Sequence, residues 1–432
     1  MPGTEDHEIL TRVGPGTAMG NLFRQYWIPL LMSAELPTPD GPPKRVRILG
    51  ENLIAFRSTG GQVGLLADHC AHRGASLFFG RNEEDGLRCV YHGWKYDVAG
   101  RCVDMPNEPT ESNFKDKIHQ LAYPCREQSG VIWAYMGPRQ APPPLPDLEW
   151  TRLPDGHYVM GRTWRECNWA QAMEGDIDNA HVPFLHSRLA TREAGQASQI
   201  MYSGKAPHLE VVDTPYGAMY GSRREADAGQ YNWRIIQFMF PSYSMITTGT
   251  PGDRGTVPSH MWIPIDDENV IQWGVRWNPT EPLTDELQRA GGVSNVGFYL
   301  PNGTGWLSQW RPVANKDNDY LLDREVQRTV RFSGISSVPL EDKAVTESMG
   351  AITDRSREHL GSTDAMIIRV RHKLVEAAKA LQDRGETPPG VDQPELYRVR
   401  SAIVNLPKDV NWVEATRDIV KAFTGSPAAS TV

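Results

Sequence analysis

Hydrophobic and polar residues alternate in short runs between residues 45 and 135, a pattern that predicts small antiparallel strands. The apolar runs cover residues 46–49, 53–56, 63–66 and 131–135. Gly, Asn and Asp, which favour turns, separate them. Residues 1–44 form an amphipathic lead-in whose apolar surface comes from Leu22, Phe23, Tyr26, Trp27 and Ile28. The first third of the chain is therefore predicted to be a small all-β domain behind a short N-terminal segment.

A proline-rich segment separates this pattern from a second one. Residues 138–146 (Pro-Arg-Gln-Ala-Pro-Pro-Pro-Leu-Pro) cannot form a helix or a central strand. We therefore expect an N-terminal domain over residues 1–140, a linker over 141–150 and a second domain over 151–432.

The second domain is predicted to contain both a sheet and helices. A strand is expected at 158–164, a helix from about Asn168, and antiparallel strands between 201 and 277, where alternation is clearest at 233–240 and 270–277. A cap at 362–364 precedes a helix that stops at Gly385. Its apolar stripe is Ile367, Val370, Leu374, Ala378 and Leu381. The fold class is therefore α+β.

Charge and composition exclude several classes of partner. The 432-residue chain has a formal net charge of -8, and no basic stripe suited to nucleic acid occurs. No apolar run has the length of a membrane span, and the first residues lack a secretion-signal pattern, so we expect a cytoplasmic protein. Five cysteines at unpatterned spacing do not indicate a disulfide framework. Cys102, Cys125 and Cys167 are predicted to be buried, inert thiols.

Two Cys-His pairs carry the first candidate chemistry. Cys70-Ala-His72 and Cys89-Val-Tyr-His92 provide two thiolates and two imidazoles on separate loops, the ligand set of a Rieske [2Fe-2S] cluster. In that arrangement the thiolates bind one iron and the imidazoles bind the other. A structural zinc site is the alternative, but zinc favours Cys-Cys and His-His pairs within one knuckle, and here each pair is mixed. Glycine after each pair allows close backbone approach to the cluster.

The segment from residue 168 to 186 carries the second candidate site. Four polar residues fall at i, i+3, i+7 and i+10, one face of a helix: Gln171, Glu174, Asp178 and His181. Pro183 is expected to break or kink this helix, so that His186 converges with His181 on one ion. Asp178, one turn before His181, is a candidate partner that orients a metal-bound imidazole.

Two histidines and one carboxylate are the facial triad of non-haem Fe(II). The carboxylate has to come from later in the chain, and spacing leaves four candidates open: Asp323, Asp342, Asp354 and Asp364. The alternative is that the two histidines are a polar helix end and a core histidine. An electron-supplying cluster in the same chain favours the iron site, because the cluster needs an acceptor.

With both motifs, the chain resembles the oxygenase component of the Rieske non-haem iron ring-hydroxylating oxygenases, and among these the phthalate dioxygenase group. The matching parts are the two Cys-His loops and the segments 168–186, 318–324 and 341–364. The resemblance implies a Rieske β domain followed by a helix-grip (START-like) catalytic domain with an antiparallel sheet. It also implies that Asp342 is the third iron ligand.

The resemblance further implies an assembly and an electron path. Family members form head-to-tail homotrimers, sometimes stacked into hexamers, and Asp178 would bridge His181 to a cluster histidine of the neighbouring subunit. Each subunit would hold one cluster and one Fe(II), with O2 as co-substrate. NAD(P)H and FMN would act only through a separate flavin and [2Fe-2S] reductase, because this chain has no Gly-x-Gly-x-x-Gly loop after a strand. The implied reaction is cis-dihydroxylation of an aromatic ring.

The substrate-binding region differs from that of phthalate-type members, which use arginines to clamp two carboxylates. Here Lys205 and His208 occupy the corresponding early stretch, and residues 240–244 contain no cation. Unless an arginine at 223, 224 or 234 substitutes, a benzoate with one carboxylate and a less polar or meta substituent, such as 3-chlorobenzoate or isophthalate, is favoured over ortho-phthalate. Three other readings stay open: a Rieske monooxygenase or O-demethylase, a Rieske electron carrier fused to a ligand-binding domain, and a zinc hydrolase.

Overall fold

A computed structural model describes residues 4–189, 206–226, 229–247, 256–293 and 297–422. The chain divides into two compact units. One comprises Val13–Pro143 and Asn302–Gln309, and the other comprises Met1–Arg12, Pro144–Pro301 and Trp310–Val432. The main division therefore falls inside the proline-rich segment. Two short segments, Met1–Arg12 and Asn302–Gln309, each belong to the unit that does not contain the residues next to them in the sequence.

The secondary structure consists of short strands with few long helices. The described helices are α1 (Thr4–Thr11), α2 (Ala18–Phe23), α3 (Trp169–Ile177), α4 (Val182–Leu185), α5 (Asp285–Ala290), α6 (Arg324–Thr329), α7 (Val338–Ser348), α8 (Ala365–Arg384) and α9 (Trp412–Thr416). The first ten strands are β1 (Trp27–Met32), β2 (Lys44–Ile48), β3 (Glu51–Arg57), β4 (Val63–Ala67), β5 (Arg81–Glu83), β6 (Gly86–Arg88), β7 (Lys95–Tyr96), β8 (Cys102–Asp104), β9 (Cys125–Gln128) and β10 (Val131–Tyr135). The others are β11 (Tyr158–Arg165), β12 (His208–Thr214), β13 (Gly217–Glu225), β14 (Gln230–Met239), β15 (Tyr243–Met245), β16 (Val257–Pro264), β17 (Val270–Trp277) and β18 (Ala402–Pro407).

Apart from α2 and short 3-10 turns, the smaller unit is built of β-strands, as predicted. Its strands form three antiparallel sheets in the orders β1-β10-β9, β2-β3-β4 and β5-β6-β7-β8. Each of the four apolar runs forms a strand, because alternating side chains bury one face of each sheet. The core includes Cys70 and Cys89 beside Trp94 and Tyr96. Both cysteines of the candidate cluster therefore lie in a water-poor interior.

The segment Asn302–Gln309 is part of the smaller unit. The Arg45 guanidinium lies 3.7 Å from the ring centre of Phe78 and 5.4 Å from that of Trp306, and it donates to the Thr304 carbonyl at 3.0 Å. Trp306 also packs against the core of this unit. These contacts hold the segment by cation–π and backbone bonds.

The larger unit contains an eight-stranded antiparallel sheet in the order β11-β17-β16-β15-β14-β13-β12, with β18 also paired to β14. Helix α8 lies against β12 and β13, and α3 lies against β14, β15 and β16. Gly385 ends α8 in the left-handed conformation (φ 65°), where glycine has no steric penalty. This is the predicted antiparallel sheet with a long helix across it.

The sheet extends over most of the region in which strands were predicted. The alternating runs at 233–240 and 270–277 correspond to β14 and β17, whereas residues 201–205, at the start of that region, lie outside the described residues. Across the described ranges, every helix is too short or too polar to span a bilayer.

Candidate functional site

The helix before the candidate iron site is shorter than the sequence pattern predicts. Helix α3 ends at Ile177, and Asp178 adopts extended backbone angles (φ -90°, ψ 127°). The Ala180 amide donates to Asp178 Oδ1 at 2.6 Å, a local turn that competes with further helical hydrogen bonds. The expectation of one continuous helical face from Gln171 to His181 is therefore wrong.

His181 and His186 still converge, because a second short helix separates them. They are the N-cap and C-cap residues of α4, and Pro183 lies in its first turn. Proline is favoured there because its missing N–H needs no helical partner, so Pro183 starts a helix and does not kink α3. The two imidazole rings meet edge to face with their Nε2 atoms 3.1 Å apart.

Asp342, on α7, completes a triangle of ligand atoms. Its Oδ1 lies 3.2 Å from His186 Nε2 and 3.6 Å from His181 Nε2. Donor atoms at about 2.1 Å from one ion lie about 3 Å apart at right angles, so this triangle has the size of a single-ion site. Within the described ranges, these residues form the one group of three His, Cys, Asp or Glu side chains close enough to share an ion.

The other three aspartates that spacing left open serve as helix caps. Asp323 accepts from the amides of residues 325 and 326 at the start of α6. Asp354 accepts from the amide of Ser356, and Asp364 accepts from the Gly361 amide at 2.7 Å. Capping satisfies backbone donors that a helix start leaves free, which explains these residues without a metal.

Gln171 and Glu174 make structural bonds within the larger unit. The Gln171 amide donates to the carbonyl of Thr346 at 3.0 Å. Glu174 is buried and accepts from Arg371 at 2.7 Å and from Arg355 at 3.0 Å. Both residues fix the position of α3 and do not join the triangle.

Glu341 is a site residue that sequence reasoning missed. It is fully buried, and its Oε2 lies 2.7 Å from Nδ1 of His186. Its other oxygen accepts from the Ser333 hydroxyl, and Arg331 lies 3.6 Å from it. The signal was the adjacent Glu-Asp pair: one carboxylate faces each ring nitrogen of His186.

Asp178 contacts Nδ1 of His181 in the same way that Glu341 contacts Nδ1 of His186. Its Oδ2 lies 3.1 Å from His181 Nδ1, the arrangement expected of a carboxylate that orients a metal-bound imidazole. Each histidine therefore has its own carboxylate at Nδ1, and both Nε2 atoms are directed to the triangle.

The pKa values of His186 and Asp342 are shifted in opposite directions by their mutual contact. Burial alone would lower the pKa of His186, but hydrogen bonds to Asp342 and Glu341 raise it to about 9. Burial would raise the pKa of Asp342, but His186, His181 and Arg165 hold it below its usual value. An ion that takes the Nε2 lone pair of His186 must displace a proton, as metal binding to histidine generally does.

The two Cys-His loops have the same backbone hydrogen bonds. The Cys70 amide donates to Ala75 O at 2.9 Å and the Gly74 amide donates to Cys70 O at 2.9 Å. In the second loop, the Cys89 amide donates to Trp94 O at 2.8 Å, and the Gly93 amide donates to Cys89 O at 3.0 Å. Gly74 has φ 74°, the region that favours glycine. The loops are therefore two copies of one ligand-bearing turn.

The ligand side chains of the loops come together in pairs. The sulfurs of Cys70 and Cys89 are buried. Burial is the larger cause that raises the pKa of Cys89, and the nearby sulfur of Cys70 raises it further. The imidazoles of His72 and His92 lie nearer the surface with ring centres 4.4 Å apart. The donor set of two close thiols and two close imidazoles fits a Rieske cluster.

Three further side chains support these loops. The Tyr96 hydroxyl lies 3.2 Å from Cys70 Sγ, and Trp94 stacks on His72 at 4.3 Å. The Gln120 amide donates to the carbonyls of residues 67 and 69 at 2.8 and 2.9 Å, and its oxygen accepts from the amide of residue 71 at 2.9 Å. Trp94 follows the loop directly, but Gln120 is distant in sequence and carried no signal.

The remaining cysteines are free thiols. Cys102 and Cys167 are buried, and Cys125 is partly buried. Burial raises the pKa of Cys125 and of Cys167 to about 12, so both stay protonated and unreactive at neutral pH.

The cations near the early strands have different surroundings. Lys205 lies outside the described residues. His208 is exposed and Arg223 is partly exposed, and they lie 3.5 and 3.6 Å from the same carboxylate, that of Glu210. Arg224 is buried and donates to Asn179 Oδ1 at 2.7 Å, and burial together with nearby Arg234 lowers the pKa of Arg224 to about 10.

Comparison with known proteins gives matches over almost the whole chain. Residues 26–121 match the Rieske [2Fe-2S] domain family, and residues 134–426 match the family described as LigXa C-terminal domain like. The chain is 40% identical to the 3-chlorobenzoate-3,4-dioxygenase oxygenase subunit of Comamonas testosteroni, over 96% of this chain and 98% of that protein. It is 35% identical to the phthalate 4,5-dioxygenase oxygenase subunit of Pseudomonas putida, over 94% and 93%. Among solved structures, the terminal oxygenase of carbazole 1,9a-dioxygenase from Nocardioides aromaticivorans IC177 shares the fold, with a TM-score of 0.54, 19% identity, and 84% and 97% coverage.

Proposed function

Since this chain belongs to the Rieske non-haem iron ring-hydroxylating oxygenases, as an oxygenase subunit of the phthalate dioxygenase group, we propose that it cis-dihydroxylates a small aromatic carboxylate. It is the oxygenase component of a multicomponent system, and its cofactors are a Rieske [2Fe-2S] cluster and a mononuclear iron that works with O2. The observation that carries the proposal is the triangle of His181, His186 and Asp342 in a chain that also has two matched Cys-His loops.

We assign the cluster ligands as Cys70 and Cys89 for one iron and His72 and His92 for the other. Burial of the sulfurs and the outward position of the imidazoles support this assignment, because electrons have to leave through a ligand near the surface. Tyr96 supports it further, since a hydroxyl directed at a cysteine sulfur stabilises negative charge on the cluster.

We assign His181, His186 and Asp342 as the iron ligands. Iron held by two histidines and one carboxylate keeps coordination positions open and supplies O2 activation. The chain's own groups set the geometry: Asp178 and Glu341 hold the Nδ1 protons of the two imidazoles. Both Nε2 lone pairs are thereby fixed toward the ion.

We propose that Asp178 also connects His181 to a cluster histidine of a neighbouring subunit in a head-to-tail homotrimer or its hexamer. The Asp178 side chain is 22% exposed, and a carboxylate has lone pairs for more bonds than the two it makes here. An isolated subunit is then inactive. Electrons are supplied by a separate NAD(P)H-dependent flavin and [2Fe-2S] reductase.

The proposed substrate is a meta-substituted benzoate, with 3-chlorobenzoate or isophthalate as examples and phthalate as a poorer one. The name of the relative at 40% identity supports 3-chlorobenzoate. The absence of a cation at residues 240–244 supports a substrate without the two adjacent carboxylates that the arginine clamp of phthalate-type members would bind.

A single-turnover assay tests the proposal. Chemically reduced, iron-replete protein is exposed to O2 with phthalate, isophthalate, terephthalate, 3-chlorobenzoate or 3-methoxybenzoate, and products are identified by mass spectrometry. We expect a dihydrodiol, or the catechol derived from it, from a meta-substituted benzoate. Addition of one oxygen atom or loss of a methyl group would identify a monooxygenase or O-demethylase instead. No product from any benzoate, with both metal sites filled, would refute the substrate class.

A pair of variants links the product to the assigned iron site. His181→Ala should form no product while keeping the visible spectrum of the cluster. The control is His372→Ala, an exposed histidine on α8 with a side chain 64% exposed, which should keep wild-type turnover. Full turnover by His181→Ala would contradict the assignment of His181 as an iron ligand, whereas an electron carrier with a ligand-binding domain would form no product even as the wild type.

A further inference from the structure

Asp176, on the last turn of α3, accepts three hydrogen bonds on one oxygen. Its Oδ2 lies 2.6 Å from Ser244 Oγ, 2.8 Å from His260 Nδ1 and 2.7 Å from Trp262 Nε1. Burial alone would raise the pKa of Asp176, but His260 and Ser244 bring it below its usual value. Asp176 is therefore a largely buried carboxylate with a side chain 11% exposed, and the metal triangle does not use it.

The carboxylate fixes a proton on Nδ1 of His260. Because Asp176 can only accept, Nδ1 of His260 must carry a proton, which leaves Nε2 as the atom that can meet another group. Nε2 has no hydrogen bond to any described residue and is not among the buried polar atoms that lack a partner. The His260 side chain is 15% exposed. One end of the imidazole is thus anchored, and the other is open to a ligand.

His260 lies on the face of the sheet against which the iron-bearing segments pack. It is paired with Ser244 on β15 and with Gly274 on β17, and paired residues project from the same face. Helix α3 lies on this face, and Asp176 precedes His181 by five residues. Asp176 and Asp178 lie two residues apart, and Asp178 contacts His181. His260 is therefore linked, through Asp176, to the segment that carries the proposed iron ligands.

On its other side, His260 borders a tightly packed segment. A side chain at Gly274 would meet the Gly292 carbonyl oxygen at 2.6 Å, and one at Gly292 would meet the Gly161 amide at 2.5 Å. The backbone around Gly292 thus covers β11 and β17, while α3 covers β14 to β16. His260, on β16, lies where the segment around Gly292 and helix α3 meet on this face of the sheet.

We propose that His260 is a substrate-binding residue that holds the aromatic acid as an imidazolium: its Nε2–H donates to the carboxylate of the acid, while its Nδ1–H donates to Asp176, which holds the ring in place. This inference rests on the proposed function and names the group that recognises its substrate. Residues 240–244 contain no cation, and the strand paired directly with Ser244 carries His260. A single imidazole matches a single carboxylate, whereas two adjacent carboxylates would need two cations.

Arg224, a buried arginine on the same face of the sheet, has a structural role. Two nitrogens of Arg224 are bonded to Asn179 at 2.7 and 3.3 Å, and one of these nitrogens also donates to Ser222 at 3.3 Å. Asn179 lies between Asp178 and His181, so Arg224 positions the turn that carries the iron ligand. Arg224 therefore serves as a comparison site in the test.

The test measures charge discrimination and not activity. Anaerobic protein with both metal sites filled is titrated by calorimetry with 3-chlorobenzoate and with its uncharged analogue 3-chlorobenzamide. His260→Asn keeps a donor for Asp176 and removes the cation. We expect it to weaken 3-chlorobenzoate binding about 10- to 100-fold, the value of a charge-assisted hydrogen bond, and to change 3-chlorobenzamide binding little. Ser244→Ala, which removes another donor to the same oxygen, should keep the wild-type preference for the acid.

Each other outcome overturns a defined part of the reasoning. An equal loss for both ligands in His260→Asn would show that His260 only shapes the fold, and an unchanged preference for the acid would show that the carboxylate lies elsewhere. A preference abolished by Arg224→Met but kept by His260→Asn would move the carboxylate to Arg224. Wild-type protein that binds neither probe would refute the proposed substrate class, whereas tight wild-type binding with an unchanged His260→Asn preference refutes the inference alone.

Discussion

Replacing Glu341 by glutamine should weaken iron binding without disturbing the fold. Glu341 is fully buried, and its Oε2 accepts from Nδ1 of His186 at 2.7 Å. Glutamine has the same shape and can still accept this proton, but it removes the negative charge beside the ligand. Since a carboxylate partner makes a metal-bound imidazole more basic, its loss should lower the affinity of the triangle for Fe(II).

The size of the effect follows from two opposing contributions. Loss of a carboxylate that supports a ligand typically costs 10- to 100-fold in metal affinity, or about 1.4 to 2.7 kcal/mol. In the ion-free protein, however, Asp342 and Glu341 raise the pKa of His186 to about 9, so iron competes with a proton at neutral pH. Removing Glu341 lowers that pKa and eases the competition. We therefore expect a small deficit near pH 7 and the full deficit above pH 9, where the proton is absent in both proteins.

The assay is an anaerobic competition for Fe(II) between the protein and a colorimetric chelator, run at several pH values. The cluster spectrum reports that the fold is intact. Glu325→Gln is the matched control, because Glu325 is an exposed glutamate on α6 paired with Arg328. Equal affinity of Glu341→Gln and wild type above pH 9 would refute the argument, as would an equal deficit in Glu325→Gln.

Three further predictions address the other groups. In iron-free protein, the raised pKa of His186 adds folding stability that is complete below the unfolded pKa near 6.5 and is lost as pH rises through about 9. Thermal melts should show the free energy of unfolding fall by up to about 3 kcal/mol over this window, and saturation with Fe(II) should reverse the fall. A free energy of unfolding that does not change with pH would contradict this prediction. Tyr96→Phe removes the hydroxyl 3.2 Å from Cys70 Sγ and should lower the cluster's reduction potential by on the order of 50 mV; redox titration decides, and an unchanged potential means that the bond is not made in the protein. Asp178→Asn at saturating iron should slow cluster reoxidation in single turnover about 10- to 100-fold while both metals stay bound, whereas wild-type reoxidation would remove Asp178 from the electron path.

Local patterns in the sequence were sufficient for the elements and for most of the residues that we propose as metal ligands. The apolar runs at 46–49, 53–56, 63–66 and 131–135 became strands because alternation buries one face of a sheet regardless of its partners. The stripe that ends at Gly385 became α8 for the same kind of reason, with helical spacing in place of alternation. The Cys-His pairs and the two histidines at 181 and 186 were visible because their ligands lie on short segments.

Tertiary structure decided everything that depends on distant residues. Spacing could not choose among four aspartates; the structure places Asp342 beside the histidines and uses the other three as caps. Glu341, Gln120 and the Asp176–His260 pair were not recognised either, because each acts through a hydrogen bond to a residue far away in the chain. The end of α3 at Ile177 was missed because a side-chain turn at Asp178 outweighs helical periodicity. The sequence by itself determined which local elements form and which residue types can bind metal, since both follow from neighbours along the chain. Which carboxylates meet which imidazoles was decided only by packing, since long-range hydrogen bonds have no sequence period.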